Sequence, residues 1–307
     1  MLKLDEKKIR KGKPIGLPYI GSKKKISKKI VEIIKQNFGS DKPVYDIFGG
    51  GGAITAELLL NGFEVHYNDL DSDITGMFVR VVSQDREWIK TLIVSRNEFF
   101  DIRSKSQKTV DDKLKLLVNS FGNNQEDYLY GKKWSDAKYN LAVEIINKHD
   151  VFSGYKQTEA YRNAIKQPRL QQLGQLQQLE RLQQLGQLQQ LERLQQLEQL
   201  QRLQQLQRLQ QLEITNRDYT AFSNVENAVL YLDPPYEDTK NSYKFKFDHQ
   251  SFYDWCVKMA RKNIVIISSY DISDPRFEVS FEFNNAHGTL SGGQNIKKCE
   301  RLFMVKK

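Results

Sequence analysis

The sequence predicts an α/β fold, a doubly wound Rossmann-like sheet ending in an antiparallel hairpin, with a smaller, mostly helical lobe. Three observations predict it. The apolar strand VYDIF runs straight into the glycines Gly49–Gly52 and then a helical pattern. The next strand, FEVHYND, closes on the acid Asp69. Strand patterns return near the C-terminus as LEITN, AVLYLD, NIVIISS, RFEVSFEF and ERLFMVK, and no long helical pattern separates the last two. A strand, a glycine turn, a helix and a second strand in that order begin a parallel sheet.

Each element has its own reason. Residues 1–24 are basic, carry Gly and Pro, and read as an extended arm ending in PYIGSKKK. From Ser27 the residues Ile30, Ile33 and Ile34 recur at helical spacing, which predicts a helix to about Phe38. After the glycine turn, AITAELLLNG reads as a helix with Gly62 as its C-cap. Residues 72–167 are richer in charge and mostly helical, broken by the turn-like segment FGNNQEDYLYGKKW at 121–134. The segment HQSFYDWCVKMARK supplies a helix between AVLYLD and NIVIISS. The expected organisation is a cofactor-binding part at 1–71, a recognition lobe at 72–167, a leucine repeat at 168–213 and a catalytic part at 214–307.

Composition narrows the function. The chain has 307 residues, a formal net charge of +9 and a pI near 9.2, which suits a polyanionic partner as well as a merely soluble surface. Cys256 and Cys299 have no CxxC partner, and the four histidines have no helical ligand spacing, so neither a disulfide framework nor a metal site is expected. The charged N-terminus and the lack of any window near 18 apolar residues give the expectation of a cytoplasmic protein with no membrane partner.

Two motifs carry chemistry. Glycines directly after a buried strand let the backbone turn tightly and approach a ligand at a helix N-terminus, which makes Asp46, Phe48, Gly50 and Gly52 candidates for cofactor contact. A purely structural turn fits the same residues. An acid some twenty residues on, Asp69, commonly accepts ribose hydroxyls, although it also suits a helix cap before LDSDI. Together they indicate a cofactor carrying an adenosine. The second motif is Asp233-Pro234-Pro235-Tyr236 after AVLYL. Two successive prolines forbid helix and fix an extended turn, holding a carboxylate and an aromatic ring at the sheet edge where α/β proteins bind ligands.

PYIGSK, DIFGGGG, the ND ending the second strand and DPPY, in this order, resemble the Dam-like family of DNA adenine methyltransferases. The resemblance covers nearly the whole chain apart from the repeat and part of the inserted lobe. It implies S-adenosylmethionine as cofactor, double-stranded DNA as partner, and a phage or restriction-modification setting, with GATC as a first target to test. It also implies that Tyr19, Lys23, Asp69 and Asp233 touch the cofactor, and that Asp218, in ITNRDY, lies where the cofactor's adenine is held. Asp233 and the carbonyl of Pro234 would accept the two hydrogens of adenine's exocyclic amine, while Tyr236 would stack on a base flipped from the duplex. No metal is required. The segment at 121–134 also looks like one recurrent in phage members. Its Phe121, Tyr128, Tyr130, Lys132, Lys133 and Trp134 suit base or phosphate contact, and a surface hairpin fits them equally. The run Lys23–Lys25 suits phosphate contact beside the cofactor lysine or a solvated helix face.

From Leu170 to Leu212 a leucine falls at every third position, and LQQLGQLQQLER at 170–181 recurs at 182–193. On an α-helix each triplet shifts the leucine by about 60°, so the stripe would circle the helix. A narrow β-solenoid, with leucines in and glutamines out, accommodates the period, although Leu, Gln, Glu and Arg favour helix. Three functions are carried from the sequence: an adenine DNA methyltransferase, a methyltransferase of cytosine's amine or of RNA, and a non-catalytic DNA-binding or assembly protein that uses the repeat.

Overall fold

Seven strands form one sheet in the computed structural model: β1 (Val44–Asp46), β2 (Val65–Asn68), β3 (Ile214–Thr215), β4 (Val229–Leu232), β5 (Ile264–Ser269), β6 (Phe277–Glu282) and β7 (Arg301–Val305). The structure describes residues 1–18, 21–132, 135–149, 197, 200–204, 212–237, 247–283 and 299–306. The strand order is β3-β2-β1-β4-β5-β7-β6. Neighbours from β3 to β5 are parallel, and β7 runs antiparallel to both β5 and β6. The expected hairpin on a parallel sheet is therefore present, with β7 wedged between β5 and β6. A bulge between Val279 and Phe281 shifts the register there.

The register decides where the ligand edge lies. Val44 pairs with both Val65 and Val229, and Asp46 with both Tyr67 and Tyr231. The carboxyl ends of β1, β2 and β4 are thus level, so the glycine turn, Asp69 and the DPPY turn leave the sheet side by side. All four residues of β4 are buried, as expected of a parallel strand covered on both faces.

The chain forms two compact units. The first, residues 1–16, 22–75 and 206–307, contains the sheet with helices α1 (Ser27–Phe38), α2 (Ala53–Leu60) and the later helix His249–Met259, which is α8 in chain order. In α1 the predicted apolar face is buried at Ile30, Ile33 and Ile34. In α8, Phe252, Trp255, Cys256 and Met259 pack with Leu230, Leu232, Val265 and Ile267 of β4 and β5. The basic arm is less extended than expected, because Glu6–Lys8 and Lys23–Lys25 each form a 3-10 turn. Asp5 caps the first of these, and the arm is tied down by the pair of Arg10 with buried Glu57 at 2.8 Å.

The second unit, residues 17–21 and 76–205, holds most of α3 (Ser72–Ser83) together with α4 (Arg86–Lys90), α5 (Arg96–Ser104), α6 (Val110–Asn119) and α7 (Ser135–His149). Its helices start where short polar side chains satisfy free N–H groups: Asp85, Ser95, and a reciprocal Thr109–Asp112 box. Val94, Phe99, Ile102, Leu116 and the run Tyr128–Tyr130 make its core.

Most of the leucine repeat lies outside the described residues. At its end, Leu197 and residues 200–204 are helical, and Leu197, Leu200 and Leu203 are fully buried. Here the solenoid expectation is corrected. Three leucines at triplet spacing cover an arc of only about 120°, an ordinary width for the buried face of a helix. The drift that disfavours helix accumulates only over a longer run.

Candidate active site

The first half of the site is built by the turn after β1. Gly50 and Gly52 have φ of 48° and 72°, left-handed values that a side chain would strain. Gly49 is required for a different reason, since a Cβ there would collide with the buried ring of Tyr67. That ring in turn fixes the turn, because the Tyr67 hydroxyl donates to the Gly50 carbonyl at 2.7 Å. Asp46 is 1% exposed. Its Oδ2 accepts the Thr55 N–H at 3.1 Å and the Thr55 hydroxyl at 2.6 Å. Burial pushes the Asp46 carboxyl up to about 7, against the pull of the Thr55 hydroxyl. Asp46 therefore braces the turn from inside. Phe48 packs edge-on against Phe252 and Phe247, inside the aromatic cluster under α8.

Asp69 stands at the rim of that turn. Its Oδ2 accepts the Gly50 N–H and its Oδ1 the Asp71 N–H, each at 2.8 Å. Burial raises its pKa, and the two backbone donors oppose the rise. Buried Asn68, quoted in the sequence only as half of a motif, is the clamp between neighbouring strands. Its amide donates to the carbonyls of Ile47 and Arg217, and its oxygen accepts from the Arg217 N–H and the Thr215 hydroxyl. The segment after β3 is held there as a result. Asp218 on that segment is exposed, with Oδ1 accepting the N–H and hydroxyl of Thr220 as the cap of a short turn.

The second half is built by the turn after β4. Asp233 Oδ1 lies 2.8 Å from the ammonium of Lys23, 210 residues earlier in the chain. Lys23 also donates to the Tyr236 hydroxyl and sits 4.9 Å from the centre of that ring. Tyr236 in turn donates to Glu300 Oε1 at 2.6 Å, and Ser268 donates to the same oxygen at 2.7 Å. Glu300 lies 3.7 Å from Lys23 as well. Tyr270 meets the Tyr236 ring edge-on at 4.7 Å, leaving its orientation set from two sides. His249 lies 2.9 Å from the Pro235 carbonyl and supports the turn from α8. Pro234 is buried. The Asp233 carboxyl is pushed up to about 6: burial raises it most, the Lys23 ammonium lowers it, and the Glu300 carboxylate raises it again.

Compared with known protein families, residues 19–255 match the D12 class N6 adenine-specific DNA methyltransferase. The chain belongs to that family. It is an enzyme that methylates adenine in DNA. A search of curated proteins finds no match.

For a D12 methyltransferase, the sequence located the two turns correctly and missed part of what surrounds the second. Lys23, Asp233 and Tyr236 are brought together, and Asp69 meets the glycine turn. Glu300 and Ser268 were missed, because each reads in sequence as an ordinary polar residue at a strand end. Tyr19, Lys133 and Trp134 lie outside the described residues. Of the lysine run, Lys23 points into the site, burial lowers Lys24 to about 8, and Lys25 is exposed. In the second unit Tyr128 and Tyr130 are only 6% and 2% exposed, and Tyr128 donates to the Val94 carbonyl at 3.0 Å. Both rings therefore support the hairpin from inside. The ring that this hairpin exposes is Phe121, at 58%, and Lys132 is exposed too. Gly122, Asn123 and Gln125 take left-handed φ to form its tip. Among the described residues no group of three or more His, Cys, Asp or Glu could hold a metal, and no helix is long and apolar enough to cross a membrane.

Proposed function

We propose that the enzyme transfers a methyl group from S-adenosylmethionine to the exocyclic amine of an adenine flipped out of duplex DNA, at Asp233–Tyr236. The observation that carries this reading is the level pairing of Asp46 with Tyr231, which puts the Asp69 turn and the Asp233 turn at one sheet edge.

The residues present fit the cofactor. Gly49 admits no side chain, the backbone at Gly50 and Gly52 is bent into the left-handed region, and Asp69 retains acceptor capacity on a carboxylate fixed by two N–H groups. Asp69 would hold the ribose hydroxyls, the glycine turn the chain beyond them, and Lys23 and Asp233 the methyl-bearing end. When bound, the cofactor supplies a methyl group already activated on a cationic sulfur.

What the chain must supply is a receptive nucleophile. Adenine's amine is weakly nucleophilic because its lone pair is delocalised into the ring. Asp233 accepts one amine hydrogen, and the carbonyl of Pro234 the other, which localises the lone pair towards the methyl group. Tyr236, held by Glu300 and Tyr270, offers a ring face to the flipped base. The remaining contribution is alignment. Incubation of the protein and duplex DNA with S-adenosylmethionine labelled in its methyl group, followed by nucleoside analysis, tests the reading. Label in N6-methyl-2′-deoxyadenosine that requires the intact cofactor supports it, and label in another nucleoside, or in none, overturns it.

A further inference from the structure

We propose that Glu300 is a positioning residue for methyl transfer: it takes the hydroxyl proton of Tyr236 and shares the ammonium of Lys23, leaving Asp233 open to the target amine. The inference rests on the reaction proposed above.

A carboxylate that is 5% exposed just before β7 needs partners, since burying a charge without them costs several kcal/mol. Glu300 has partners, and all of them belong to the site. Tyr236 has one hydroxyl proton and two carboxylates in reach, Glu300 at 2.6 Å and Asp233 at 3.3 Å. The shorter bond takes the proton, so the tyrosine does not cap the oxygen that must receive the amine hydrogen. Ser268, from β5, donates to the same Glu300 oxygen and fixes it.

Lys23 gives the second half of the argument. With Asp233 alone it would form a closed ion pair, and an incoming amine would have to break that pair. With Glu300 3.7 Å away, the ammonium has a second anion to lean on. The cluster of Lys23, Asp233 and Glu300 also keeps one excess negative charge for a cationic methyl donor. Among the described residues the groups facing Asp233 are Lys23 before α1, Glu300 at β7, Tyr236 on its own turn, the buried hydroxyl of Tyr231 on β4, and Asp46, whose carboxyl is close enough to interact with it, at the end of β1. Of these, only Glu300 is both a like charge and outside the three turns that the reaction uses.

The test compares wild-type protein with Glu300→Gln and Glu300→Asp. In ligand-free protein labelled at aspartate carboxyl carbons, with Asp233→Asn to assign the signal, NMR follows the ionisation of Asp233 against pH. Removing the like charge in Glu300→Gln should move the Asp233 midpoint down by about one pH unit, and Glu300→Asp should return it towards wild type. In single-turnover methyl transfer the acid limb of the Glu300→Gln profile should move with that midpoint. Glu300→Asp reads the hydrogen bond separately. It keeps the charge but falls a methylene short of Tyr236, so its plateau rate should drop about tenfold with the midpoint little changed. An Asp233 midpoint that is the same with and without the Glu300 charge overturns the proposal, and so does a full plateau rate in Glu300→Asp. Should Glu300→Gln fail to fold, the Glu300→Asp plateau still decides. Absence of methyl transfer by wild-type protein would overturn the reaction itself, a result distinguishable from either variant's behaviour.

Discussion

The turns after β1 and β4 leave neighbouring strands at the same level of the sheet, yet they hold their carboxylates in opposite ways. After β1, Asp46 and Asp69 are held from nearby in the chain, by Thr55, by the N–H of Gly50 and by the N–H of Asp71. After β4, Asp233 is held by a side-chain charge from 210 residues away, and Tyr236 by a glutamate 64 residues on. The first turn is a backbone cradle whose geometry its own sequence determines. The second is a charge cluster that exists only when four segments of the chain have met. A cradle suits a constant ligand, whereas a cluster whose members can trade partners suits a site where a base must enter and leave.

The largest effect expected from breaking the comparison is at Asp233. Asp233→Ala should leave a folded protein and lower single-turnover methyl transfer by about 10³-fold, because no carboxylate remains to accept the amine hydrogen. Near-wild-type turnover in a labelled-methyl assay would remove Asp233 from the mechanism. Asp69→Ala should act on binding instead. Loss of a charged acceptor is worth about 1.5–3 kcal/mol, or roughly ten- to a hundred-fold in cofactor affinity by calorimetry. Turnover at saturating cofactor should change much less, and an equal loss in both quantities would mean that the two turns do not divide binding from chemistry.

Gly49→Ala sharpens the claim that the first turn is a backbone device. The added methyl meets the ring of Tyr67, which is buried and cannot swing away. Overpacking of this kind costs about 1–3 kcal/mol, readable as a lower melting temperature, and cofactor affinity should fall with it. An unchanged melt would show that the ring has room to move.

The same contrast explains what the sequence disclosed. Glycines after an apolar strand, an acid about twenty residues on and a double proline are local signals, and they located β1, α2, β2 and both turns. Glu300 had no such signal. It opens ERLFMVK, where one charge before an apolar strand reads as solvent-exposed, and nothing local says that Ser268 and Tyr236 will lie against it. The burial of the tyrosines at 128 and 130 was masked for the opposite reason, because lysines beside them suggest a surface. The unbroken apolar run YLY was the available clue to three successive buried residues. At the end of the repeat, the period was read correctly and its consequence was not, because a short stretch of triplet leucines still covers one helix face.

The smallest effect expected concerns pH, where each turn holds one buried acid with a raised pKa. Asp233, near 6, and Asp46, near 7, both ionise across the neutral range, but with different consequences. Ionisation of Asp233 creates the acceptor, so methyl transfer should rise with pH through about 6. Ionisation of Asp46 places a charge inside the braced turn and gains nothing for the reaction. The sign follows from proton counting. The Asp46 carboxyl binds its proton more tightly folded than unfolded, so its contribution to stability is fully present below the unfolded value near 4 and is lost as pH rises through about 7. Asp46→Asn stays neutral throughout and presents one oxygen to the same two Thr55 donors. Between pH 6.5 and pH 8, wild-type protein should therefore lose more stability than Asp46→Asn, by an amount on the order of 1 kcal/mol. Taking the difference between the two proteins cancels the titrating groups that do not touch Asp46, and leaves Asp46 with its coupling to Asp233 and Asp69. Chemical denaturation at the two pH values measures it. Parallel losses in the two proteins would mean that Asp46 is already ionised at pH 6.5, and that the first turn, like the second, holds a charge.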